Sequence, residues 1–480
     1  MLPRLNKALL AELPDGIARP AYDPAEVTTG IVHLGVGAFH RAHQAAYVDA
    51  CLAEGDARWG IIGVSLRSSA MRDALAPQDW LYTLAERQGD GERLKVLGPL
   101  REVLVAPEDP RAVLEAMAKP EIRLVTLTVT EKAYPRTPEG ALDTSDPTVA
   151  ADLADPASPS GILGFISQAL ALRRAAGTAP FTVLSCDNLP ANGSTLRRLV
   201  VEFSRLCDPA LARHIQEDVA FPSSMVDRIV PATAETDRER ISRTLGAEDA
   251  WPVVTEPFMQ WVVEDDFPQG RPDWERHGVE MVSDVEPFEE MKLRLLNGAH
   301  SAIAYSGQLL GHETVADAFA DPLVDRFVKG LWREAAETLS GAARLEAGSY
   351  TERLSARFAN PALRHRTAQI ANDGSQKLPQ RFVSPLLARL EEGSSAPHLC
   401  AGIALWIAAL EARGSQPAFS DPLDERLSAI FDETDAAEPT AEAILQLAGF
   451  RSFKDYLPAV ASAFQRIRNE GVTAELTRYP

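Results

Sequence analysis

The chain lacks any stretch approaching the roughly 20 consecutive apolar residues that a membrane-spanning helix needs. Its opening, "MLPRLNKALLAELPDGIARP", has acids and prolines where a signal peptide needs an apolar core and a small-residue cleavage site. Cysteine is scarce. Cys51, Cys186, Cys207 and Cys400 stand far apart with no CxxC pair, which gives no sign of a zinc ribbon or a disulfide scaffold and fits a reducing, cytoplasmic setting. Basic residues are outnumbered, 48 Lys and Arg against 68 Asp and Glu, and the net charge of -20 repels phosphate backbones and anionic lipid surfaces. Neither nucleic acid nor a membrane is expected as a partner. A small anionic ligand stays open, because a few clustered arginines can dominate the field inside a pocket.

What is present is ample apolar material, 45% of 480 residues, more than one core usually serves, so two domains are expected. "GIVHLGVGAFHRAHQAAYVDACLAEG" reads as strand, glycine turn and helix, and "WGIIGVSL" follows as a second strand. The alternation returns in "PRAVLEAMA", "IRLVTLTVT", "ILGFISQALALRRAAG" and "FTVLSCDN". Strands separated by helices predict parallel βαβ units and a doubly wound α/β sheet over about the first 280 residues. The Pro-, Asp- and Ser-rich "TPEGALDTSDPTVAADLADPASPSG" reads as a surface excursion. Helical signals take over after "DVEPFEEMK", dividing the chain into 1–284 and a mostly helical 285–480.

"HLGVGAFHRAH" sets Gly35 and Gly37 in a strand-to-helix turn, the context of a dinucleotide fingerprint. Gly35, Val36, Gly37, Ala38 and Phe39 are the candidates for meeting a pyrophosphate, although His40 stands where a third glycine is usual. The second strand ends without the acid that grips the ribose of NAD. Arg67 there would suit a 2′-phosphate or simply be a solvated arginine, so NAD and NADP both stay open. His40 and His43 are spaced i, i+3 without an acidic partner, which argues against a metal pair. "SCDN" places Asp187 and Asn188 at the carboxyl edge of the sheet, where Asn188 is either an amide donor to a developing alkoxide or a turn residue before Pro190. Glu131 and Lys132 end another strand, where a rim salt bridge is the ordinary role. Arg364, His365, Arg366, Lys377 and Arg381 crowd one segment, either an exposed basic face or a carboxylate pocket.

"EEMKLRLLNGAHSAIAYSG" reads as an apolar α-helix carrying Lys292, Asn297 and His300. At about 100° per residue, Asn297 lies roughly 140° and His300 roughly 80° around from Lys292, so the three share half of the cylinder. A lysine tuned toward neutrality by burial can act as a general base. The alternative is a snorkelling lysine with a bonded asparagine and a satisfied core histidine.

Five stretches in order, "GVGAFHRAHQ", "SCDNLP", "MVDRIVP", "EPFMQWVVEDDFPQGRPDWE" and "MKLRLLNGAH", resemble signatures of the polyol-specific long-chain dehydrogenases, the mannitol dehydrogenase family. The resemblance runs from about Gly30 to the carboxyl end. It implies a Rossmann-like, dinucleotide-binding domain followed by a helical substrate-binding one, with no metal. Lys292 and Asn297 would be catalytic, Asn188 would complete an oxyanion hole, and His300, Val226 and Asp227 would contact substrate. Glu131 would lie on a water path to the lysine. "TEKAY" and "DGSQK", the latter preceded by Gln369, look more like hexuronate reductases of this family than like its mannitol-oxidising members. A carboxylated substrate would give Lys132, Arg364, Arg366 and Lys377 a purpose. The expected activity is NAD(P)-linked hydride transfer between D-mannonate and D-fructuronate, in a monomer or small homo-oligomer. Mannitol and fructose are the alternative pair, and a catalytically silent dinucleotide sensor is the alternative of another class.

Overall fold

Four apolar runs that are almost continuously buried, Thr29–Leu34 (β1), Gly60–Ser65 (β2), and later Leu124–Leu127 and Thr182–Ser185, pair as parallel strands. Parallel strands are covered on both faces, so no polar alternation is needed. This computed structural model describes residues 2–89, 91–413, 418–434 and 436–479. The chain forms two compact units, Met1–Glu286 and Pro287–Pro480.

In the first unit β2 is followed by a hairpin, Tyr82–Gln88 (β3) and Gly91–Leu97 (β4), then by Leu100–Val105 (β5), Leu124–Leu127 (β6) and Thr182–Ser185 (β7). The five-stranded sheet has the order β5-β2-β1-β6-β7, the doubly wound pattern with a crossover between β5 and β6. Helix Gln44–Ala53 packs into the core on one face. Helices Pro110–Ala118, Ile162–Ala175 and Asn192–Cys207 pack into a separate core on the other.

Two features differ from the expectation of unbroken βα alternation. Ser224–Asp227 (β8), Val253–Thr255 (β9), Gln260–Glu264 (β10) and Glu280–Val282 (β11) build two further three-stranded sheets of mixed direction, β11-β10-β8 and β4-β3-β9. The surface excursion also contains a helix, Pro147–Ala154, capped by Asp146. It is tied down because buried Asp152 accepts from Ser160 N and Oγ and from Gly161 N.

The second unit is helical. Helix Pro397–Ala412 is buried on every side from His398 to Leu410, as a core helix that is apolar all round must be. Buried Glu334 accepts from the backbone N–H groups of His398 and Leu399, which satisfies that helix's first turn. Among the described residues no helix is long and apolar enough to cross a membrane.

Candidate active site

The turn leaving β1 requires glycine. Gly35 has φ +88, and a Cβ there would lie 2.2 Å from the Thr128 carbonyl oxygen. Gly37 then caps the short helix Ala38–Ala42, so Gly35, Val36, Gly37, Ala38 and Phe39 form the βα turn at the carboxyl edge of the sheet. His40 stacks on His33 with ring centroids 3.4 Å apart, an imidazole pair in the place where a third glycine would let helix and strand close up. Burial lowers His33 to about 3 and His40 well below the ordinary value, so both are neutral. His43 closes the short helix and bonds through Nε2 to the Gln260 carbonyl at 2.8 Å.

Beyond β6 the chain is held in a conformation that L residues rarely adopt, with Thr130 at φ 76 and ψ 157. Asp187 holds it there. Its Oδ1 accepts from Val129 N and Thr130 N, both at 2.8 Å, and its Oδ2 accepts from the Tyr134 hydroxyl at 2.7 Å. Burial pushes the Asp187 carboxyl above its usual range despite these donors. The two polar residues of "SCDN" therefore divide. Asp187 is a buried clamp and Asn188 is exposed at the sheet edge.

Glu131 and Lys132 open the short turn Glu131–Ala133 and are exposed. Lys132 lines a cavity of about 230 Å³ together with Arg67, which follows β2. Val226 and Asp227 end β8, buried and in register with Trp261 and Gln260 of β10.

In the second unit the lysine segment is not a continuous α-helix. Glu286–Met291 and Gly298–Leu310 are α-helical, and Lys292–Asn297 between them is a π-helix. Trp332 Nε1 donates to the Leu295 carbonyl at 2.9 Å and Arg381 Nη1 to the Asn297 carbonyl at 3.3 Å, both drawing carbonyls out of the α ladder. An i→i+5 turn is wider than 3.6 residues, so Asn297 comes round closer to Lys292 than the roughly 140° of an α-helix. Lys292 and Asn297 are half-buried, and of the three only His300 is buried. A second π-helix, Pro379–Val383, packs against the first and carries Arg381, which also bonds Ser301 Oγ at 2.9 Å.

The basic segment sorts by geometry. Arg364 is exposed in a left-handed conformation at φ 45, and Arg366 is exposed and 3.4 Å from Glu313. Residues 365–367 run extended against 313–315, so His365 and Thr367 face the opposite way from Arg366. Thr367 is fully buried and packs where Gly307 leaves room, since a Cβ on that glycine would lie 2.9 Å from Thr367 Cγ2. His365 is set edge-on to His300 at 5.4 Å between ring centroids. His300 Nε2 and His365 Nδ1 are buried without a hydrogen-bond partner among the described residues, and burial depresses both imidazoles. Lys377 is half-buried, lowered by burial, with Nζ on the Asn372 carbonyl at 2.7 Å.

The sequence names Asp187, Arg381 and His365 but not their roles: Asp187 is a clamp, Arg381 a carbonyl donor beside Asn297, and His365 the inward member of "RHR". Only the last had a local signal, the alternation of an extended segment.

Residues 29–276 match the mannitol dehydrogenase Rossmann domain and residues 284–469 the mannitol dehydrogenase C-terminal domain. The chain is 42% identical over 469 residues to D-mannonate oxidoreductase of Escherichia coli (strain K12), covering 95% of this chain and 96% of that one. It is 40% identical over 500 residues to mannitol 2-dehydrogenase of Aspergillus terreus (strain NIH 2624), covering 99% of each. The structure of Pseudomonas fluorescens mannitol 2-dehydrogenase in ternary complex with NAD and D-mannitol superposes with a TM-score of 0.85 at 36% identity, covering 99% of both chains. The chain belongs to the mannitol dehydrogenase family and is an oxidoreductase acting on CH–OH groups.

Proposed function

We propose that this protein interconverts D-fructuronate and D-mannonate with NAD(H). The observation that carries the catalytic reading is the π-helical turn bringing Lys292 and Asn297 toward one side, with buried His300 on the helix that continues from it. Gly35, Val36, Gly37, Ala38 and Phe39 would hold the cofactor's phosphates, and Gly35 fits that role because no side chain is tolerated there. NAD, when bound, supplies or takes the hydride.

The remaining chemistry belongs to the chain. In reduction, protonated Lys292 donates a proton to the carbonyl oxygen, and in oxidation neutral Lys292 accepts it. The Asn297 and Asn188 amides donate to that oxygen as it gains negative charge, which lowers the transition state more than the ground state. Neutral His300 offers its partnerless Nε2 to a substrate hydroxyl. Val226 and Asp227 line the substrate's path, and Glu131 relays protons by water.

The preference for a sugar acid is supported by the 42% identity to D-mannonate oxidoreductase and by the resemblance of "TEKAY" and "DGSQK" to the hexuronate reductases. Lys377 is the half-buried cation for its carboxylate. Arg364 and Arg366 are exposed, so only an outer, steering role is assigned to them.

The test is turnover of NADH with D-fructuronate against D-fructose. A kcat/KM at least roughly 100-fold higher for the uronate is expected, since a site built for a charged group rejects the analogue lacking it. Preference for fructose moves the assignment to the mannitol pair. Tight NADH binding without turnover of either sugar makes the protein a sensor.

A further inference from the structure

The first unit holds a cavity on the same edge of the sheet as the Gly35–Phe39 turn. It lies beyond the carboxyl ends of β2 and β6 and measures about 230 Å³. Leu66, Val149, Ile162 and Phe203 give it apolar walls that suit a purine. Arg67 and Lys132 also line it, and neither side chain has a hydrogen-bond or ion-pair partner among the described residues.

The two carboxylates that line the cavity, Asp146 and Asp152, are both occupied. Asp146 accepts from Thr148 N and Val149 N, and Asp152 accepts from Ser160 N and Oγ and from Gly161 N. Asp73, the first acid after β2, is paired with Arg72 at 2.8 Å and accepts from Ser69 Oγ. Arg72 itself is engaged by Glu108. A Rossmann site that selects NAD presents a carboxylate to the ribose hydroxyls, and one that takes NADP presents a cation to the 2′-phosphate. Here the cavity offers two cations without an ion-pair partner among the described residues, while its two carboxylates already accept from backbone and hydroxyl donors.

We infer that this cavity receives the adenosine end of the cofactor and that Arg67 and Lys132 together hold a phosphate on the ribose 2′ position, so the protein takes NADP(H) as well as NAD(H). The inference rests on the dinucleotide reading above. It moves Lys132 from the substrate's carboxylate to the cofactor, because the lysine shares its cavity with Arg67.

Calorimetric titration of the purified chain with 5′-ADP and with 2′,5′-ADP tests it without turnover. The 2′-phosphate is expected to tighten binding about tenfold or more at low salt, with the gap shrinking as ionic strength rises. Arg67→Ala and Lys132→Ala are each expected to weaken 2′,5′-ADP more than 5′-ADP and so to close most of that gap. Equal affinities in the unaltered protein overturn the inference. So does a Lys132→Ala variant that keeps the gap but raises KM for the sugar acid, which returns the lysine to the substrate. If neither nucleotide binds, the dinucleotide reading fails with it, an outcome distinct from binding of 5′-ADP alone.

Discussion

Asp187 and Asn188 are neighbours in "SCDN", and their replacement by alanine is expected to have opposite consequences. Three hydrogen bonds end on the Asp187 carboxylate, two from the backbone of Val129 and Thr130 and one from Tyr134. A hydrogen bond to a charged group contributes about 1.5–3 kcal/mol, and the raised carboxyl pKa says that burial takes part of this back. Asp187→Ala, which also releases the strained Thr130 turn, is therefore expected to cost roughly 3 kcal/mol. For a unit of this size that lowers Tm by about 5 °C. Asp187→Asn keeps an acceptor toward the two amides and should recover most of the loss. Asn188 is exposed, and Asn188→Ala should leave Tm within about 1–2 °C. Removing an oxyanion donor should lower its kcat by about 10²–10³. Thermal unfolding and steady-state kinetics on the three variants decide the matter. An unchanged Tm in Asp187→Ala, or full turnover in Asn188→Ala, refutes the division of roles.

Lys292→Ala is expected to lower kcat by about 10²–10⁴ while leaving NADH affinity, read by fluorescence titration, unchanged; equal losses in both would remove the lysine from proton transfer. Arg381→Ala strips the donor from the Asn297 carbonyl and from Ser301, so kcat should fall by about tenfold with NADH affinity intact, and an unaltered kcat would show that the π-turn does not depend on it. Four histidines are held neutral by burial, His33 and His40 in the first unit and His300 and His365 in the second. Their folded values lie below the unfolded 6.5, so the unfolded chain binds the protons, and stability present above pH 6.5 is lost as pH falls toward the folded values. In the first unit, where His33 and His40 lie far below 6.5, each contributes a slope of about 1.4 kcal/mol per pH unit, roughly 3 kcal/mol per pH unit together. Denaturant unfolding at pH 7, 6 and 5 measures this, and a flat profile contradicts the burial.

The family and the βα frame were legible because they rest on local patterns. β1, β2, β6 and β7 are short apolar runs between helices, and Gly35 stands where a turn demands φ > 0. The mixed sheets were not legible as sheets, since β3 and β4 form a local hairpin but their third strand β9, like the partner β8 of β10, lies far away in sequence.

The sequence by itself determined which residue types were present to do chemistry and their order: Asn188, then Lys292, Asn297 and His300. Tertiary structure decided which way each faces and what holds it. An α-helical count set Asn297 well around from Lys292, and only side chains from distant segments, Trp332 and Arg381, draw carbonyls out of the ladder where the turn becomes π-helical. Charge alone grouped Lys132 with Arg364 and Arg366. The fold puts Lys132 on the same cavity as Arg67, exposes Arg364 and Arg366 and turns His365 inward, because burial and pairing depend on contacts that no local stretch contains.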